Sequence, residues 1–263
     1  MNKNKKTSKK QTRKSRADAK PTSKPDTPVH SWRVCPYGQH QVIAHPRNNP
    51  PSKAHPAGSI STVSWHCAHN PSGKDQLYTE EIREIAARHF SDLKNKPCPM
   101  PLDFGAVGSR YDDLIAGWVQ YWNDVLKPDV HLDSNLVKAL IASESGFEPD
   151  KLADPQNSNS ARGLTQILNT SRKILGNDKG ELKDHFITIN KADLNDPCVN
   201  VCAGVRWLFQ KRKLASIHLN RQATWIEAIG EYKGTTALSK KVAKKEMDIF
   251  NGFYEDYQKC TKE

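Results

Sequence analysis

Glu144 closes an apolar run, Leu136-Val137-Lys138-Ala139-Leu140-Ile141-Ala142-Ser143-Glu144-Ser145-Gly146-Phe147. Leu136, Val137, Leu140 and Ile141 recur at helical spacing and define one buried face. Glu144 follows Leu140 by four residues and Ile141 by three, so it sits over that face near the helix end. Gly146 then stops the helix. A carboxyl group beside apolar surface finds its charged form disfavoured, which suits proton donation near neutral pH. Taken alone, a glutamate at a helix end is usually just solvated, so its company decides.

A second group has ligand chemistry. Cys35, His40, Cys67 and His69 offer two thiolates and two imidazoles, a set that suits tetrahedral zinc. The separations within Cys35…His40 and Cys67…His69 do not match a standard zinc finger. A Cys35–Cys67 disulfide or two free thiols account for the same residues, so a structural zinc stands beside those readings. Cys198 and Cys202 fall on one helix face and read as buried against the core, with one of them a partner for Cys260.

The elements that must position these residues follow from periodicity. Residues 1–30 are Lys, Ser, Thr and Pro with almost no large apolar side chain, and read as a disordered basic tail. Residues 31–76 form a small Cys/His/Pro-rich module with little regular structure, in which Gln41-Val42-Ile43 and Ser61-Thr62-Val63-Ser64-Trp65 suit short strands. Such a segment has little core and needs a metal, a disulfide or docking to hold its shape. Residues 77–263 turn helical. One helix starts at Thr79, and a longer one is capped by Ser109 and ended by Pro128. Further helices are expected near 133–145, 165–175, 197–213, 223–231 and 238–257, with Asp196 as N-cap and Pro197 at the first helical position. The fold class is mainly α.

Three further segments follow Glu144 in order. They are Ala161-Arg162-Gly163-Leu164-Thr165-Gln166-Ile167, then Asn200-Val201-Cys202-Ala203-Gly204-Val205-Arg206-Trp207-Leu208, then Ala228-Ile229-Gly230-Glu231-Tyr232-Lys233-Gly234. With Glu144-Ser145-Gly146-Phe147 they resemble the soluble lytic transglycosylase (SLT) family, which has a goose-type lysozyme-like fold. That family carries Glu-Ser-Gly-Phe, Gly-Leu-Met-Gln, an Asn…Ala-Gly…Tyr-Leu helix and Ala-Tyr-Asn-(x)-Gly. The resemblance covers about residues 130–235.

The resemblance implies an enzyme that cleaves peptidoglycan glycan strands between N-acetylmuramic acid and N-acetylglucosamine, forming 1,6-anhydromuramyl ends without a cofactor. Glu144 matches the single catalytic acid/base. Ser145 matches a residue orienting the acid or the sugar, Gln166 one that lines the glycan groove, and Tyr232 one whose hydroxyl bonds the catalytic carboxyl. Two positions depart from the pattern. Thr165 replaces Met and alters packing. Lys233 replaces Asn, and a cation beside the acid favours the carboxylate unless it points outward or binds substrate. Asp150 and Asp154 are nearby carboxylates that read as surface-loop residues. A muramidase on the same fold, and a non-catalytic glycan- or nucleic-acid-binding protein, remain as alternatives.

Charge bears on partners. Residues 1–24 hold eight Lys, two Arg and one Asp, and so carry most of the net +11. The basicity belongs to the tail, which argues against a nucleic-acid-binding body but allows polyanion contact through the tail. No apolar run has the ~18 residues of a membrane span. No apolar stretch follows the basic start, so no signal peptide is expected. Action in the periplasm or cell wall would then need non-classical export or injection. An immunity protein or a secretion apparatus is the partner that such a route would imply.

Overall fold

The computed structural model describes residues 32–260, so the basic tail read at 1–30 lies outside the described residues. The helical part is built around one long helix. Asp196 caps it by accepting from the Cys198 N–H (2.9 Å), and Pro197 takes the first helical position. This helix, Pro197–Leu219, outruns the expected 197–213 by almost two turns. Val199, Val201, Cys202, Ala203, Val205 and Leu208 bury it on nearly every side, as a central helix requires. The other helices pack around it.

In chain order, α1 is Thr79–His89, α2 Asp112–Leu126, α3 Ser134–Ser145, α4 Asn169–Leu175, α5 the central helix, α6 Trp225–Tyr232 and α7 Lys240–Cys260. Trp118, Tyr121 and Trp122 of α2 are fully buried and interlock edge-on with one another. Two starts differ from expectation. Ser109 does not cap α2; it closes a 3-10 stretch, Leu102–Ser109, and α2 begins after Tyr111. α4 begins later than 165 because Arg162 and Ile167 exchange both backbone hydrogen bonds at 3.1 Å, closing a turn that a helix cannot include.

α3 forms as its sequence dictates. Asp133 accepts from the Asn135 N–H at its start, Leu136, Val137, Leu140 and Ile141 are buried, and Gly146 caps its end in the left-handed region (φ +63°). Its one buried cation, Lys138, meets Asp112 of α2 at 2.8 Å. Burial pushes the Asp112 carboxyl up to about 6 and pulls the Lys138 ammonium down. α7 lies along α3 and is pinned at its last residue by a Cys98–Cys260 disulfide.

The module before α1 has more regular structure than its composition suggested. Strand β1 (Gln39–Val42) pairs antiparallel with β4 (His66–His69), and β2 (His45–Asn49) with β3 (Ser59–Val63). Strand β5 (Gln76–Tyr78) pairs in parallel with β6 (Phe186–Thr188), so the polypeptide enters the helical part by sheet pairing. Trp32 is buried in the main core against Phe90 and Tyr121.

The zinc reading of Cys35, His40, Cys67 and His69 is corrected here. Cys35 and Cys67 form a disulfide, which removes both thiolates. His40 engages Asn70 Oδ1 through Nδ1 (2.8 Å), and His69 is exposed. Among the described residues no three His, Cys, Asp or Glu gather to hold a metal ion. The pairing read for Cys260 is corrected as well. α7 carries it along α3 to Cys98, while Cys198 and Cys202 stay free on α5. Burial pushes the Cys198 thiol up to about 12.

Candidate active site

Glu144 stands in the last turn of α3, half-buried, its side chain 18% exposed. The turn that follows is firmly set. The Ser145 hydroxyl donates to the Ile141 carbonyl (3.1 Å) and accepts from the Phe147 N–H (3.2 Å). Phe104 packs edge-on against Phe147. Ser145 is wholly buried, so it cannot meet a sugar. It fixes the helix end that carries the acid, which corrects its reading as a substrate-binding residue.

Lys233 does not point outward. It caps α6, and its Nζ stands 2.7 Å from Glu144 Oε1 and 3.4 Å from Ser143 Oγ. A third oxygen, Glu246 Oε2 of α7, lies 3.7 Å away. The Lys233 side chain is 4% exposed, so its charge is matched by protein groups rather than water. Glu246 had no signal in the sequence, because α7 shows only alternating charge and an apolar stripe there. Asp150 and Asp154 are exposed.

The remaining pieces converge on Thr165. The Tyr232 hydroxyl donates to the Thr165 carbonyl (2.7 Å), not to the Glu144 carboxyl as the resemblance implied. Burial pushes the Tyr232 phenol up, and the charge of Glu144 adds to the shift. Thr165 gives its N–H and its hydroxyl to Asn200 Oδ1 (2.8 and 2.7 Å). The Thr-for-Met difference therefore does more than alter packing. Gln166 adopts φ +49° and its amide donates to the carbonyls of Gly163 (2.8 Å) and Lys151 (3.1 Å). In this state the glutamine holds its own turn together, and its half-buried amide is engaged. Gly163 is required by space as well as by φ +73°: a Cβ there would lie 2.2 Å from Asn200 Nδ2.

Fold and site define a mainly helical domain with one half-buried carboxyl at the end of a core helix, braced by a buried lysine. Residues 126–248 match the model of the family described as Transglycosylase SLT domain. That region runs from the end of α2 into α7 and contains Glu144, Gln166, Tyr232, Lys233 and Glu246. The match supports a lytic-transglycosylase-type activity on peptidoglycan. No curated protein and no solved structure matches the chain. No helix among the described residues is long and apolar enough to cross a membrane.

Proposed function

We propose that this protein is a peptidoglycan lytic transglycosylase in which Glu144 is the only group that moves protons to and from the glycan. The observation that carries this is the placement of Glu144. It is half-buried at a capped helix end, inside the SLT-matching region and in direct contact with Lys233. Glu144 would protonate the oxygen leaving the muramyl anomeric carbon as that C–O bond breaks. It would then take the proton of the muramyl 6-hydroxyl as O6 bonds to the same carbon and closes the 1,6-anhydro ring. One proton is given and one returned, and no water is consumed. Hydrolytic glycosidases instead use two carboxylates to manage a water or a covalent intermediate.

Two disulfides among the described residues support work in an oxidising compartment such as the cell envelope. Delivery by injection, an immunity partner and polyanion contact through residues 1–24 belong to this proposal as its cellular setting. Digestion of purified sacculi followed by mass spectrometry is the test. Anhydromuramyl ends are expected from the wild type, and Glu144→Gln is expected to lose at least ~10²-fold of the rate, the usual scale for a missing general acid. Reducing ends would make it a muramidase. The buried Lys233–Glu144 pair favours one further reading, a glycan-binding protein in which Glu144 is a fixed anion. Sacculus binding by wild type without cleavage would establish that instead.

A further inference from the structure

Lys233 presents one ammonium to two carboxylates from different helices. Glu144 reaches it from α3 at 2.7 Å, a full hydrogen bond; Glu246 reaches it from α7 at 3.7 Å, within ion-pair range but short of a bond. The ammonium's remaining polar partner is the Ser143 hydroxyl at 3.4 Å; the Tyr232 phenol of α6, whose shift upward the Glu144 charge adds to, gives its own proton to the Thr165 carbonyl. The three ions differ in freedom. Lys233 is sealed at 4% exposure, Glu144 is at 18%, and Glu246 is at 39% on the inner edge of α7, next to Met247. The buried cation cannot exchange either partner for water, but the outer carboxylate has room to swing inward. Lys233 itself is the C-cap of α6, its N–H bonded to the helix carbonyls, with Gly234 following in the left-handed region.

A carboxyl oxygen held by an ammonium at hydrogen-bond distance is engaged and is not free for the glycosidic oxygen. Resting on the reading of Glu144 as the acid, we infer that Glu246 is a positioning residue for it. Glu246 draws the Lys233 ammonium away from Glu144 when glycan occupies the site, and returns it afterwards. The lysine is a charge shared between two carboxyl groups, and its position decides whether Glu144 Oε1 is engaged or free. Glu246 touches no substrate in this scheme and acts only through Lys233.

The test uses the full chain with Glu246→Gln, Lys233→Met and the double variant, read in two ways. The first readout is the pH dependence of kcat/KM on soluble glycan fragments. Glu246→Gln leaves Lys233 with Glu144 alone and should move the alkaline limb to lower pH, a loss of about tenfold on that side for a displacement of one unit. Lys233→Met should move the limb the other way. The double variant should depart from the sum of the two single effects, because without the lysine only the direct repulsion between the two carboxylates links Glu246 to Glu144. The second readout is the carboxyl carbon resonance of Glu144 titrated by NMR without substrate, which needs no turnover. The same ordering of the variants is expected there. A Glu246→Gln curve superimposed on wild type in the titration, or additive effects in the double variant, overturns the inference. A wild type that cleaves nothing while the titrations keep this order overturns the transglycosylase reading, with the Glu144–Lys233–Glu246 coupling upheld.

Discussion

Asn200 Oδ1 accepts both the main-chain N–H and the hydroxyl of Thr165, while its amide donates to the carbonyls of Arg162 (2.9 Å) and Leu194 (2.8 Å). One side chain, with no exposure, ties the 162–167 turn to the central helix. Asn200→Ala would leave several buried groups unpaired at once. The expected cost is on the order of 3–4 kcal/mol, measured by urea denaturation. A loss under ~1 kcal/mol would mean that water takes over these bonds and that the turn is not held as described.

Tyr232→Phe distinguishes two accounts of the tyrosine. Its hydroxyl serves the Thr165 carbonyl, so removal should lower stability by about 1 kcal/mol. The pH profile of glycan cleavage should keep its shape. A shifted profile with unchanged stability would restore the direct bond to Glu144 that the resemblance implied.

The helix that carries Glu144 is legible in the sequence, and the reason is local. Leu136 to Gly146 specify a helix, its buried face and its stop within a dozen residues, so Glu144 could be placed from spacing alone. Asp196-Pro197 announced the central helix in the same way. What escaped reading depends on distance along the chain. Cys98 meets Cys260 only because α7 returns along α3, and Glu246 meets Lys233 for the same reason. No periodicity encodes either approach. Ser145 reads from the sequence as orienting either the acid or the sugar, because its neighbours specify a helix end but not which way its hydroxyl turns; its bonds to Ile141 and Phe147 point to the acid.

The capping of α6 should leave a mark at acid pH. Thr224 and Glu227 form a reciprocal cap, and Arg221 holds the Glu227 carboxyl down at about 2. A carboxylate with a depressed folded value contributes stability above its unfolded value and loses it as pH falls through the folded one. Wild type should therefore melt above Glu227→Gln at pH 6, and the two should converge between about pH 4.5 and 2. Melting curves across that range decide it; a gap that persists at pH 2 would assign the effect to packing.

The tether on α7 gives a further expectation. Cys98 and Cys260 are 162 residues apart, and their bond holds the end of the helix that carries Glu246. Replacing both with Ser should cost about 2–5 kcal/mol, the usual range for a native disulfide. Hydrogen exchange should rise first in the last turns of α7. Equal protection of α7 with and without the bridge would show that Phe250 and Tyr257 suffice to dock it.

Arg33 is buried between Asp75 and Glu81, and it also donates to the carbonyls of Gln39 (2.7 Å) and Gln76 (3.2 Å). That arrangement matters to anyone seeking the smallest working fragment. A chain begun at residue 77 keeps Glu81 but leaves behind the cation that neutralises it, and an orphaned buried charge costs several kcal/mol. It also leaves a hole where Trp32 fills the core. Trimming to the recognisable helices would therefore yield a wounded enzyme, and its silence in an assay would say nothing about Glu144.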